Sequence, residues 1–183
     1  MQSVENKEIH PDMKMEEILT HYPSAKRALF QKYHIGGCSS CGYSMEESLE
    51  SVMINHRREK EIHNAIQFIY ESEEVDRKLK MSPSTYKSEI EKGEEIHLID
   101  IREEWETSIA SIPNSQVLTR QLAYEILQKW DKNSKIVFYC HRGHQSLEAA
   151  SYFKGHGLPN VFCLEGGIDR YSEEIDSSIP KYE

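Results

Sequence analysis

The chain has 183 residues, of which 38% are hydrophobic and 29% charged, with a net charge of −9 at neutral pH. This is the composition of a globular protein rather than a disordered one. Residues 1–80 carry 11 basic and 14 acidic side chains, and residues 81–183 carry 11 and 17, so neither half offers the basic surface that nucleic-acid binding needs. No apolar run approaches the roughly 18 residues of a membrane span, and the N-terminal segment has no signal-like apolar core. The expectation is a cytoplasmic protein with neither nucleic-acid nor membrane partners. Its four cysteines are too few for a disulfide scaffold and, in a reducing compartment, point to metal, redox or nucleophilic chemistry.

In chain order, "MKMEEILTHY" places Met15, Ile18, Leu19 and Tyr22 at the spacing of an amphipathic helix. Pro23 breaks that helix and is suited to the first turn of the next, "SAKRALFQKYH", which Gly36 and Gly37 end. Cys38 and Cys41 follow as C-x-x-C in "HIGGCSSCGYS". That spacing permits a redox-active or sulfur-accepting dithiol, a reduced pair capping a helix loop, or partial ligation of a metal or iron–sulfur cluster. His34 and His56 are the candidates to complete a metal site. "SMEESLESVMINH" opens with Ser44 and Glu47, a capping-box pattern, and carries Met45, Leu49, Val52 and Met53 on one side. "REKEIHNAIQFIYESEEV" sets Ile62, Ile66, Ile69 and Tyr70 on another stripe. The spacing predicts a small helical bundle with a modest core.

The acidic segment "ESEEVDRKLKMSPS" reads as a helix end and linker, dividing the chain into residues 1–78 and 79–183. Beyond it the period changes. Residues 96–101, 115–119, 135–140 and 160–164 are short β-rich runs, separated by helical stretches such as "TRQLAYEILQKW" and "SLEAASYFKGHG". Strands alternating with helices predict an α/β domain, a parallel sheet flanked by helices, preceded by the all-α bundle.

"KIVFYCHRGHQS" is the most informative stretch. Cys140 ends a strand, and ligands of a parallel α/β sheet collect at the carboxyl ends of strands. A helix predicted to start near Ser146 brings its N-terminus, and the N–H groups of residues 141–145, around the sulfur. Such an anion cradle favours the nucleophilic thiolate. Gly143 lets the loop curl, and His141, Arg142 and His144 add positive or polarisable groups. The competing reading is that Cys140 is a small buried hydrophobe. Cys163 lies in an apolar run and reads as core. Asp100 and Arg102 read as structural, since an arginine after a strand end commonly anchors a neighbouring loop. Gly166 and Gly167 are expected to turn the backbone close to the Cys140 loop.

Residues 81–183 resemble a rhodanese domain. "LIDIREEWETSIASIPNS" resembles the family's strand-ending D-x-R-E before an I-P turn, "CHRGHQS" its active-site loop, and "LEGGIDRYSEEIDSSIPKY" its closing glycine-pair segment. The resemblance implies a sulfurtransferase in which Cys140 carries sulfane sulfur as a persulfide. It makes His141, Arg142, Gly143, His144, Gln145 and Ser146 the substrate-binding loop. It further implies a small-molecule sulfur donor (thiosulfate or a low-molecular-weight persulfide), a thiol or cyanide-like acceptor, a sulfur-accepting or redox protein partner, and no cofactor. Related phosphatases have a loop one residue longer closed by arginine, which Gln145 and Ser146 do not supply. The departures are Gln145, where many members have arginine, Ser111 for a usual histidine, and Tyr171 for a usual tryptophan. Gln145 keeps open a second reading, a non-catalytic rhodanese-type binding module joined to a redox- or metal-sensing C-x-x-C domain. Residues 8–56, through "MEEIL", "HIGGCSSC" and "ESLE", are similar to small helical C-x-x-C domains associated by name with hybrid-cluster proteins, and to the N-terminal segment of iron–sulfur-cluster repair proteins. The two resemblances suggest discharge of a Cys140 persulfide by Cys38 or Cys41.

Overall fold

The computed structural model describes residues 7–36 and 42–182. The chain divides into two compact units, Met1–Arg77 and Lys78–Glu183.

In the first unit, α1 (Met15–His21) and α2 (Ala25–Tyr33) turn Met15, Ile18, Ala25, Ala28 and Leu29 inward. Pro23 lies in the turn ahead of α2, whose N-cap is Ser24, rather than in its first turn. His34 ends α2 in the left-handed conformation (φ 58°). The third helix, α3 (Leu49–Asn55), starts later than the Ser44–Glu47 pattern predicts. Glu47 does reach back to the Ser44 N–H (2.6 Å), but within a turn. Residues 45–48 stay outside the helix because the backbone around them is already engaged. The carbonyls of Met45 and Glu47 accept from Glu16 and Met15, and the Leu49 N–H donates to Met13. Ser48 is the actual cap, its hydroxyl accepting from the Ser51 N–H at 3.1 Å. Leu49, Val52 and Met53 are buried while Met45 is exposed. After a 3-10 turn (Glu59–Glu61), α4 (Ile62–Leu79) buries Ile62, Ala65 and Ile69, with Ile66 and Tyr70 on the flanks.

The segment read as a helix end and linker does end a helix, and its remaining residues have regular structure of their own. Helix α4 continues to Leu79, and Lys80–Met81 forms an edge strand, β1, paired parallel with Cys163–Leu164. Leu79 and Met81 are both buried, so the segment's few apolar residues are structural although its composition is polar. Helix α5 (Pro83–Glu91) follows at once, with Ser82 capping the Thr85 N–H (3.1 Å) and Pro83 in its first turn.

The sheet continues with β2 (Ile96–Asp100), β3 (Gln116–Val117), β4 (Lys135–Tyr139) and β5 (Val161–Leu164). Helices α6 (Glu104–Ile109), α7 (Arg120–Gln128), α8 (His144–Gly155) and α9 (Gly167–Glu174) alternate with them. The strand order is β1-β5-β4-β2-β3, with every pair parallel. This is the expected parallel α/β sheet flanked by helices. Its register sets Asp100 beside Tyr139 at the ends of β2 and β4.

Side chains alternate across the sheet. Leu98, Val137, Tyr139 and Leu164 pack with Tyr86 of α5 and Ile168 of α9. Ile99, Ile136, Phe138, Val161 and Cys163 pack with Ile126 of α7 and with Ala150 and Phe153 of α8. Both faces being covered, β4 is buried almost throughout. Phe138 stacks on Phe153 at 4.8 Å. Phe138→Ala therefore removes a fully buried ring from the centre of the sheet. It is expected to lower stability by about 3–5 kcal/mol, measured by urea denaturation against wild type.

Candidate functional site

Cys140 follows β4, between β5 and β2, at the carboxyl end of the sheet. Helix α8 begins at His144, two residues earlier than predicted, with Gly143 as its N-cap at φ 91°. His144, Gln145 and Ser146 are therefore the first turn of the helix, and the connecting loop is only His141–Gly143. The Gly143 N–H donates to Cys140 Sγ at 3.1 Å, and the Ser146 hydroxyl lies 3.5 Å from the same sulfur. Ser146 is fully buried and donates to the Gly143 carbonyl at 3.1 Å, bracing the turn. Cys140 is only 2% exposed, as the hydrophobe reading expects, yet it borders a cavity of ≈ 270 Å³ that His141, Arg142, His144 and Gln145 also line. A larger hollow of ≈ 690 Å³ lies at the other end of the strands, around His97, Lys135 and Asn160. No cysteine lines it.

The loop is held from below by the turn after β5. Ile168 and Asp169 donate their N–H groups to the carbonyls of Cys140 (3.0 Å) and His141 (3.2 Å). Gly167 makes this possible. It stands at φ +62°, and a Cβ there would fall 2.3 Å from the Cys140 carbonyl oxygen and 2.4 Å from that of His141. Gly143 is similarly constrained by the Gly166 nitrogen, 2.8 Å from where its Cβ would be. The predicted approach of the glycine pair to the Cys140 loop is thus a direct backbone seam.

Asp169 was not singled out from sequence. Its Oδ1 lies 3.0 Å from His141 Nε2 and its Oδ2 3.5 Å from Arg142 Nε. Tyr182 is the second residue missed. Its ring stacks on His141 (4.3 Å, 11°), and Trp105 meets it edge-on at 6.3 Å. The only signal for Asp169 was an acid in the opening turn of the helix after the glycine pair. Tyr182 gave none, because its partners lie far from it in sequence.

Tyr182 also joins the site to a buried network. Arg102 donates to Asp100 through Nε (2.9 Å) and Nη2 (2.5 Å), with both side chains inaccessible. It further donates to the Ala110 carbonyl (2.7 Å) and to Tyr182 OH (2.7 Å). Arg102 thus anchors the neighbouring segment, the structural role read for it. Burial works against its charge, but the hydrogen bonds to Asp100 and Tyr182 outweigh it and hold Arg102 above the usual arginine range. Tyr139 OH donates to Asp100 Oδ2 at 2.7 Å and meets Ser115 Oγ at 2.9 Å. Cys163 is buried in the sheet core. Tyr171 sits near Tyr86 (6.2 Å between rings), and Ser111 is exposed.

Cys38 and Cys41 lie outside the described residues. Of the histidines considered with them, His56 directs Nδ1 to the Val52 carbonyl (2.8 Å), and His34 is the cap of α2. Among the described residues no group of three or more His, Cys, Asp or Glu side chains is placed to hold a metal, and no helix is long and apolar enough to cross a membrane.

Residues 82–174, just over half of the chain, match the family described as the rhodanese-like domain. The chain belongs to the rhodanese-like family. It is similar to "Adenylyltransferase and sulfurtransferase UBA4" of Candida albicans, 33% identical over 116 residues, which are 59% of this chain and 26% of that protein. It is also similar to "Putative sulfurtransferase YtwF" of Bacillus subtilis, 31% identical over 94 residues, 51% of this chain and 90% of that one. The chain thus spans about a quarter of the first relative and most of the second. Among solved structures it is similar to the human single-domain sulfurtransferase TSTD1 (TM-score 0.47, 19% identity, covering 52% of this chain and 96% of that one). The family match begins at residue 82 and leaves the helical unit outside it.

Two outcomes follow from this geometry. Gly167→Ala and Gly157→Ala both place alanine at positive φ, but Gly157 has nothing within 4 Å of its Cβ position. Gly157→Ala is expected to cost about 1 kcal/mol, and Gly167→Ala at least about 2 kcal/mol more because backbone must move, read by thermal denaturation of the two variants. The second outcome concerns alkaline pH. Burial first, then the nearby Asp100 carboxylate, pushes Tyr139 up to about 12, and burial beside Tyr171 does the same for Tyr86. A raised phenol means that folding favours the protonated form. This stabilisation is complete below the ordinary tyrosine value of about 10 and is lost as pH rises towards about 12. Denaturant-measured stability should fall over that window, and the fall should be shallower in Tyr139→Phe.

Proposed function

We propose that this protein is a sulfurtransferase that carries sulfane sulfur as a persulfide on Cys140. The observation that supports the reading most directly is the Gly143 N–H aimed at Cys140 Sγ (3.1 Å), at the N-terminus of α8 and the edge of a small cavity. A main-chain donor and a helix N-terminus both favour negative charge at that point. Such a sulfur can attack an S–S bond and afterwards carry a terminal sulfur anion. The sulfurtransferase names of the two curated relatives agree with this chemistry.

With thiosulfate as donor, the Cys140 thiolate attacks the outer sulfur, the S–S bond breaks and sulfite leaves with the bonding pair. With an organic persulfide, the leaving group is the parent thiolate. In the second half, an acceptor thiolate or cyanide attacks the terminal sulfur and Cys140 departs as thiolate. His141, Arg142, Gly143, His144, Gln145 and Ser146 form the loop and helix turn that receive the donor. The ≈ 270 Å³ cavity is at the small end of ligand pockets. It takes the reacting group rather than a large substrate.

The experiment is to treat reduced protein with thiosulfate or glutathione persulfide and map the product by mass spectrometry. A one-sulfur increase on the peptide containing Cys140, absent in Cys140→Ser, is the expected result. Folded, reduced protein that gains no sulfur from either donor would instead be a non-catalytic binding module.

A further inference from the structure

Within the cavity wall, the two side chains able to carry positive charge nearest the sulfur in sequence, His141 and Arg142, both turn to Asp169. The carboxylate is fixed there by its own backbone, since the Asp169 N–H donates to the His141 carbonyl at 3.2 Å. Around it the balance stays acidic. Arg170 is held by Glu165 (2.7 Å) and Glu174 (2.6 Å), and Tyr182 OH donates to Glu106 at 3.0 Å. Gln145, in the first turn of α8, adds no charge. Residues 81–183 sum to 11 − 17 = −6. A doubly charged inorganic donor meets little net attraction here.

A second, separate feature favours an organic ligand. Tyr182 lies flat on His141, itself in the cavity wall, and Trp105 stands next to Tyr182 with 59% of its surface exposed. A large exposed indole beside a ring that stacks on a side chain of the cavity wall offers apolar contact area.

We propose, building on the sulfurtransferase reading, that Asp169 determines donor specificity. It offsets the charge of Arg142 and holds the His141 ring by a hydrogen bond, and so turns the site from thiosulfate towards organic persulfides, whose carbon skeleton lies on the Trp105–Tyr182 ledge. The persulfide reacts in its protonated form, uncharged at the reacting end. The Cys140 thiolate attacks the outer sulfur of R–S–SH, the new S–S bond forms as the old one breaks, and R–S⁻ leaves. Cys140–S–SH then releases its proton. One negative charge enters the step and one leaves.

The test compares single-turnover persulfide formation from thiosulfate and glutathione persulfide in wild type, Asp169→Asn and Trp105→Ala. Asp169→Asn keeps the side chain's shape but frees the Arg142 charge, so the thiosulfate-to-persulfide rate ratio should rise about tenfold. Its thiosulfate rate should also fall with added salt, whereas the wild-type rate should be nearly flat. Trp105→Ala should slow glutathione persulfide and leave thiosulfate unchanged. An unchanged ratio in Asp169→Asn overturns the proposal while leaving the sulfurtransferase reading intact. So does a wild-type thiosulfate rate that drops steeply with salt, a result that needs no variant to fold. Equal slowing of both donors by Trp105→Ala removes the ledge. Wild-type protein that takes sulfur from neither donor removes both the proposal and the reading beneath it.

Discussion

The site depends on one close approach of two backbones. The carbonyls of Cys140 and His141 accept N–H groups from Ile168 and Asp169 across a gap that Gly167 leaves open. These bonds fix the peptide planes on either side of His141 and thereby direct the chain into α8. They also fix where Asp169 stands. Its side chain reaches His141 because its own nitrogen is already bonded to the His141 carbonyl. The turn after β5 therefore sets both the shape and the charge of a loop that follows β4. A glycine pair far from the cysteine in sequence does this by lacking side chains.

Beneath this seam lies a polar network that, judged by desolvation alone, is costly. An inaccessible Asp–Arg pair gives up hydration that its Coulomb attraction only partly returns, so its worth depends on every remaining donor and acceptor being matched. Here Arg102 donates to Asp100, Ala110 and Tyr182, and Asp100 also accepts from its neighbour Tyr139. The register of β2 against β4 brings Asp100 and Tyr139 abreast, one residue before Cys140. The network ties the segment after α6 and the C-terminal Tyr182 to the strand end that presents the thiol. It adds directed bonds between elements that Ala110, Ile112, Tyr139 and Tyr182 already pack into one hydrophobic cluster.

Much of this was legible in the sequence where the signal is local. The alternation of β-rich runs and helical stretches gave a parallel sheet, and the strand-ending cysteine with its glycine marked the loop. Legibility stopped where tertiary pairing overrode local pattern. Ser44 and Glu47 make a capping-box bond, but the backbone of residues 45–49 pairs with residues 13–16, and that long-range demand moves the helix start to Leu49. Lys80 and Met81 are too few to show a strand period, and they become β1 only because β5 offers an open edge. Asp169 and Tyr182 meet His141 across 28 and 41 residues respectively, counted along the sequence, a relation that only folding discloses.

The burial of Cys140 works against the attack proposed for it, since a nucleophile at 2% exposure meets few reactants. The chemistry resolves this asymmetrically. On the proposed mechanism a donor must bring one sulfur atom to a nearly inaccessible thiol at a cavity that His141, Arg142, His144 and Gln145 also line. Once transferred, that sulfur extends the side chain by an S–S bond of about 2 Å, into the cavity that the thiol borders. The acceptor then has a shorter distance to travel than the donor had. In the proposed reaction a recessed thiol thus limits which molecules load the site more stringently than which molecules unload it.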